Sequence, residues 1–579
     1  MKIKSSFING KNSNHDTSME KLVVNNKYTL KGIAEVSMAS SSDIEEAVES
    51  SVKAFTKFSK MASGRRYDLL AKFIQIFKSN EERLTKLIVE EAGKPISYAR
   101  SEFSRCVDTL MFALEETRRV GGEVIPMDFG ASTGRRSFTS KFPIGPIIAI
   151  SPFNFPLNLA LHKIAPALAS GCSIVLKPSP YTPLSSLLLG EFAAEAGYPE
   201  GVLNIVVCSN EKSEQLVRDE RFKLLSFTGS PKIGWLLKSI AGKKKVVLEL
   251  GGNACAVIDE TSNITEAAKK VATGAFLYSG QICISTQKVF ISKNIYQEFK
   301  EALLLETSKL IAGDPTVEET VLGPIIDKDH VSRILKWISE SKSNGANILC
   351  GGKVLESNSQ VIEATVVEDY HRDDLLNSEE VFGPVVLLKS FTTDTECIDL
   401  VNETRFGLQA GVFTNRLDFM KMCFEEIEVG DTVITRKHTV TDADIVNFAN
   451  VSGDNFYAHV DATSLDETIF EQNVAHGYWV LSKAAGLFVD GKKGPVLLNY
   501  GLDECRFTKP VYPGMTLGVR FTAKEKISQE KKEFAEGEEI PKGMDIKKGI
   551  VKFLVDVYDE TGETVALATI LTMIKFKQQ

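Results

Sequence analysis

Between residues 42 and 91 apolar residues recur three and four positions apart with charges between them. That spacing predicts amphipathic helices over 42–58, 65–78 and 80–91, each laying one face on a core. From 147 onward the pattern changes to short apolar runs separated by helical stretches. Strands are expected at 147–151, 173–176, 202–207, 224–227 and 246–250, with helices over 157–169 and 184–196 between the first of them. Strand–helix alternation of this kind builds a doubly wound α/β domain around a largely parallel sheet. Near residue 424 the order reverses. A helix starting after Thr441 and a long apolar helix over 474–489 are followed by strands at 496–502, 517–524, 549–557 and 564–575, the arrangement of an α+β domain with an antiparallel sheet. The charged, glycine- and proline-containing stretch 524–548 is expected to be an exposed loop.

Composition narrows the class. The 579 residues exceed any single small domain, and 43% hydrophobic with 25% charged residues excludes a disordered or collagen-like chain. A net charge of −8 gives no electrostatic footprint for nucleic acid or anionic lipid, so neither is expected as a partner. The nine cysteines are scattered, with no CxxC pair or other ligand spacing; they read as reduced thiols in a cytoplasmic protein without a metal site. The first residues turn polar immediately after Lys2 and Lys4, where an export signal needs its apolar core, so export is not expected. Apolar stretches such as 144–153 and 381–388 fall short of the roughly 18 residues of a membrane span.

Three segments carry candidate chemistry in the first part. LYSGQICIST, 277–286, sets Cys283 among small and polar residues. FTGSPKIG, 227–234, follows an apolar strand and opens a helix, so Gly229, Ser230 and Gly234 allow backbone and hydroxyl groups to approach a pyrophosphate at a helix N-terminus. VVLELGGN, 246–253, places Glu249 within an apolar strand, where a carboxylate is costly unless it has a partner or a task.

Taken with SPFNFPL (151–157), LKPS (176–179) and EEVFGPV (379–385), these motifs resemble, in order, the aldehyde dehydrogenase family, from FING at Phe7 to about Met422. The resemblance implies an NAD(P)-binding domain over 1–250 with an oligomerisation hairpin near 133–143, and a catalytic domain over 251–423. It implies Cys283 as the nucleophile toward an aldehyde, Glu249 as general base, and Asn154 with the Cys283 N–H as oxyanion donors. Lys177, Ser179, Gly229, Ser230, Gly234, Leu250, Glu380 and Phe382 are implied as cofactor contacts. Pro180 stands where NAD-preferring relatives often carry an acidic residue, so NAD or NADP is expected with a lean to NADP. After 406–414 the family continues with a strand, a glycine-rich substrate loop and a closing strand; here a helix-like 417–423 leads straight into the second domain.

In that domain SGDNFYAHVD, 452–461, sets Asp454 and His459 across an aromatic turn, and VAHGYWVLSKAAGLFVD, 474–490, opens an apolar helix at His476-Gly477. With TVTDADIVNFANVSGD and RFTKPVYPG these segments resemble the MaoC-like enoyl-CoA hydratases of hot-dog fold, covering 424–579. The resemblance implies that Asp454 and His459 deprotonate a water for addition to an unsaturated acyl-CoA, with the Gly477 N–H on the thioester oxygen. Both the domain order and the wording around 452–459 and 498–514 are also similar to bifunctional fusions that pair oxepin-CoA hydrolysis with semialdehyde oxidation in phenylacetate degradation. Two readings stand at this point: a bifunctional enzyme that self-associates as a homo-oligomer, or a hydratase carrying an inactive dehydrogenase scaffold.

Overall fold

The computed structural model describes residues 2–13, 20–127, 132–427, 432–434, 438–461, 463, 465, 470, 472–488, 496–528, 548–561 and 563–575. The chain separates into two compact units, Met1–Ile427 and Glu428–Gln579.

The first unit is built on two sheets. In one, the order is Lys245–Glu249, Leu224–Thr228, Ile147–Ile150, Ile174–Lys177, Leu203–Ile205, Phe7–Ile8 and Lys11–Asn12. The first five strands are parallel, in register Leu224 opposite both Lys245 and Ile147, and Ile147 opposite Ile174. The central strands Ile147–Ile150 and Ile174–Lys177 are buried along their whole length. That explains their unbroken apolar runs, because helices cover both faces of a parallel sheet. The second sheet runs Asn347–Cys350, Thr365–Glu368, Val385–Phe391, Lys288–Ser292, Cys255–Ile258 and Ala410–Phe413, and all but its first pairing are parallel. A small three-stranded sheet near the N-terminus, Lys2–Lys4, Gly32–Ser37 and Lys21–Asn25, adds elements that the hydrophobic pattern leaves unnamed. The hairpin expected near 133–143 is a short pairing of Val124–Ile125 with Ser137–Phe138, with Val124, Phe138 and Phe142 exposed.

The three early helices form as expected, at Ser41–Phe58, Ser63–Ser79 and Glu81–Ala92. The first is fixed by a capping box in which Ser40 and Asp43 satisfy each other's backbone N–H groups. A fourth and longer helix, Ile96–Arg119, is missing from the sequence reading. Its buried stripe of Ala99, Phe103, Cys106, Leu110 and Leu114 includes a carboxylate, Glu102. Phe103 stacks on Phe77, with ring centroids 4.9 Å apart.

Glu249 corrects an expectation. Its strand, Lys245–Glu249, lies at the sheet's edge with burial alternating along it, and Glu249 is exposed. Its cost of burial is therefore small.

In the second unit a sheet ordered Thr432–Ile434, Thr516–Ser528, Lys548–Tyr558, Thr564–Lys575 and Val496–Phe507 is antiparallel throughout. The helix Gly477–Phe488 packs on it through Trp479, Val480 and Leu481 against Val519, Val555 and Ala568. The strand expected to end at 524 runs on to Ser528; of the charged stretch 524–548, residues 529–547 lie outside the described residues.

Candidate active sites

In the first unit, two loops carry the implied chemistry. The loop 151–157 leaves the C-terminal end of Ile147–Ile150, and the loop 277–286 follows the helix Ile264–Phe276. They meet through Asn154, whose Nδ2 donates to the Gln281 carbonyl at 3.0 Å while its Oδ1 accepts from the Phe155 N–H at 3.1 Å. An amide nitrogen has a second hydrogen, so this contact fixes the side chain and still leaves one donor for a developing oxyanion. The backbone around Cys283 is held tightly. Tyr278 and Ser279 take φ values of 50° and 55°, and Gly280 takes 68°. Gln281 donates to the Pro324 carbonyl and accepts the Ile326 N–H at 2.9 Å. Residues in left-handed conformations persist only where the surroundings over-determine them.

Cys283 is half-buried, and burial pushes its thiol above the ordinary range, with the carboxylates of Glu380 and then Glu249 adding to the effect. The backbone N–H groups of Cys283 and Ile284 pull the other way but do not outweigh burial, so attack is helped by a base. Glu380 accepts the Gly252 N–H at 3.1 Å; burial pushes its carboxyl up to about 7, opposed by that N–H and by the Arg333 guanidinium. The glycine pair makes room: a Cβ on Gly251 would sit 2.1 Å from the Glu380 carboxylate, and one on Gly252 would sit 2.6 Å from the Cys283 carbonyl. Phe382 takes a φ of 49° beside them and packs edge-on to Phe153. Lys177, at the end of its strand, donates to Asn210 Oδ1 at 3.2 Å and is kept below the usual lysine range by burial. Ser179 accepts the Tyr181 N–H, and Gly229 donates to the Glu249 carbonyl. Ser230 is the N-cap of Pro231–Ile240 without a side-chain cap bond, and Gly234 lies where a Cβ would strike Leu250 at 2.3 Å.

These groups sit beyond the C-terminal ends of parallel strands, where open α/β sheets take ligands. The buried hydroxyls of Ser151 and Thr182 have no partner among the described residues. An orphaned hydroxyl after a strand end at Ser151, another at the N-cap Thr182, an uncapped helix start and a tight glycine pair fit a dinucleotide.

Several participants are absent from the sequence reading. Lys163 donates to Ser226 and Thr228, and burial lowers its ammonium to about 8 against the pull of Glu249. Arg333 donates to the Val381 carbonyl. Lys94 and Glu102 form a fully buried ion pair. Only the side chains' long-range partners reveal them.

In the second unit Asp454, His459 and His476 place one polar atom each within 4.8 Å of one another. His459 Nδ1 lies 2.6 Å from the Val474 carbonyl, which can only accept, so the ring hydrogen is on Nδ1 and Nε2 keeps its lone pair. His476, 2% exposed, likewise faces the Asp454 carbonyl with Nε2, at 2.9 Å. The two rings stack with centroids 3.7 Å apart and planes 26° apart. Two imidazoles and a carboxylate brought together in this way can transfer a proton or hold a metal ion. Gly477 begins the helix Gly477–Phe488 directly after His476.

A doubly wound parallel sheet with a cysteine-bearing loop held against the loop at one strand end can bring a dinucleotide and a thiol together. Residues 14–451 match the aldehyde dehydrogenase family and 425–541 the MaoC like domain; the chain belongs to the aldehyde dehydrogenase family and carries a C-terminal MaoC-like domain of hot-dog fold. It is 37% identical over 430 residues to a 3-sulfolactaldehyde dehydrogenase of Priestia aryabhattai, covering 74% of this chain and 88% of that one. Among solved structures, aldehyde dehydrogenase 21 of Physcomitrella patens in complex with the reaction product succinate is 40% identical, with TM-score 0.71 over 74% of this chain and 89% of that one. Betaine aldehyde dehydrogenase of Staphylococcus aureus in complex with NAD+ is 27% identical, with TM-score 0.70 over 74% and 86%. The comparisons support use of NAD or NADP. Among the described residues no helix is long and apolar enough to cross a membrane.

Proposed function

We propose that the chain is a bifunctional enzyme. Its first unit oxidises an aldehyde to an acid and its second adds water to an unsaturated acyl-CoA. The observation that carries the first half is the bond between Asn154 and the Gln281 carbonyl, which sets an amide donor beside the loop of Cys283. Cys283 attacks the aldehyde carbon and its proton passes to Glu249. The oxygen that gains charge is held by Asn154 Nδ2 and the Cys283 N–H. A bound nicotinamide supplies the hydride acceptor. Glu249 gives the thiol proton up to solvent and then takes one from the water that hydrolyses the thioester, Cys283 leaving as the thiolate. Lys177 and Glu380 hold the cofactor's ribose hydroxyls, Ser230 and Gly234 admit its pyrophosphate, and Pro180 leaves a 2′-phosphate unopposed, which favours NADP. Succinate in one relative and sulfolactaldehyde in another favour a short anionic semialdehyde.

In the second unit Asp454 and His459 hold a water, His459 Nε2 removes its proton, and the Gly477 N–H steadies the thioester oxygen. An oxepin-CoA-like thioester from aromatic-acid breakdown, in a cytoplasmic homo-oligomer, is the specific form of this reading. The exposed apolar hairpin around Phe138 supports self-association, and a monomer in sedimentation would refute it.

The test measures reduction of NADP and NAD by the full chain over short semialdehydes, and hydration of crotonyl-CoA. Cys283→Ala should abolish the first and leave the second, Asp454→Asn the reverse. Hydration surviving in Asp454→Asn would sink the dehydratase-type assignment. A second reading, a hydratase with an inactive dehydrogenase scaffold, is favoured by the chain after 406–414, which runs through the helix Leu417–Glu426 where the family continues with a strand, a substrate loop and a closing strand. No oxidation of any aldehyde by folded protein that still hydrates crotonyl-CoA would establish it.

A further inference from the structure

Lys94, in the turn between Glu81–Ala92 and Ile96–Arg119, and Glu102, on the second of these helices, lie at 0% and 1% exposure. An ion pair so buried is poor value as stabilisation, because desolvating two charges roughly cancels their attraction. Its contacts point elsewhere. Glu102 Oε1 accepts the N–H groups of Leu157 and Asn158 at 3.0 and 3.1 Å, capping the helix that leaves the Asn154 loop. Lys94 Nζ sits 3.5 Å from the centroid of Phe155, one residue after Asn154, and 4.7 Å from that of Tyr278, five residues before Cys283. Tyr278 in turn donates its hydroxyl to the Ala92 carbonyl at 2.9 Å. One ammonium therefore rests between the aromatic rings of both loops that carry the oxyanion donors. It does so where Tyr278 and Ser279 need outside restraint to keep positive φ.

We infer that the Lys94–Glu102 pair is a positioning device that locks the Asn154 loop to the Cys283 loop, so that the two oxyanion donors face one point. Lys94 and Glu102 are positioning residues and touch no substrate. The inference rests on the aldehyde-oxidising reading above. Small displacements of such donors are expensive: losing one outright costs about 10²- to 10³-fold in rate, so a loosened one should cost about 10- to 100-fold.

The experiment uses the full chain with Lys94→Met and Glu102→Gln together, which removes both charges, preserves volume and leaves an acceptor for Leu157 and Asn158. Three rates are compared with the unaltered protein: aldehyde oxidation, Cys283 acylation by p-nitrophenyl acetate, and Cys283 alkylation by iodoacetamide. Alkylation builds no oxyanion. The expected result is a folded protein whose first two rates fall together by about 10- to 100-fold while alkylation stays within about threefold. Unchanged acylation, or alkylation falling in step with it, overturns the positioning role. Should the double variant not fold, Tyr278→Phe removes one bond of the same network; it should slow acylation severalfold with alkylation unaltered, and equal acylation overturns the inference. Absence of any Cys283-dependent turnover in the unaltered protein refutes the underlying reading instead.

Discussion

Replacing Glu380 by Gln should make the protein more stable at pH 8 and leave it unchanged near pH 4. Burial raises the Glu380 carboxyl from 4.5 to about 7. The neutral acid is thus favoured in the folded protein. Its stabilising preference is fully present below pH 4.5 and is lost as pH rises through 7, because the unfolded chain ionises first. At about 1.4 kcal/mol per pH unit, the ceiling is about 3 kcal/mol. The side chain is only partly shielded from solvent, and screening brings the expected figure to about 1–2 kcal/mol. Glutamine keeps an acceptor for the Gly252 N–H and never ionises. In a unit of this size the gain is a rise of about 1–3 °C in melting temperature. Calorimetry of the full chain at half-unit steps between pH 4.5 and 8.5 should show the two proteins diverging through pH 5 to 7 and running parallel above it. A difference independent of pH, or a variant less stable at pH 8, would refute the reasoning.

Asn154→Ala should lower kcat for aldehyde oxidation by about 10²- to 10³-fold with a smaller effect on cofactor affinity; steady-state kinetics check this, and an undiminished kcat removes Asn154 from the oxyanion site. Gly280→Ala should cost more than about 2 kcal/mol, since a left-handed residue gains a Cβ and that atom meets backbone. The atom it meets is the Gly383 carbonyl oxygen, at 2.2 Å. Urea unfolding measures the loss, and wild-type stability would show that the turn relaxes freely.

Much of the architecture was legible because it is local. Runs such as Ile147–Ile150 and Ile174–Leu176 are apolar throughout since both faces are covered, and the capping pattern at Thr441 marks its helix directly. Glu249 was misjudged because VVLEL reads alike at the centre or the edge of a sheet, and strand order is set by chain far away. The helix Ile96–Arg119 hides behind Glu102, a charge on its buried stripe that makes sense only with Lys94 opposite. The motif residues were found individually, yet what joins them was not. The bond from Asn154 to Gln281 spans 127 positions, and no periodicity encodes it.

The internal carboxylates also decide where an anion can go. Glu102 occupies the free N–H groups at the start of Asn158–Ser170, and Glu91 takes those of Leu184 and Ser185 at the start of Pro183–Ala196. Each of these helix ends already has its N–H groups taken by a carboxyl of the protein's own, which leaves no donor free for an arriving phosphate. Pro231–Ile240 has no side chain on its first N–H groups. Of these three helix starts, two are filled from within, and only Pro231–Ile240 is left without a side-chain cap for an anion to meet.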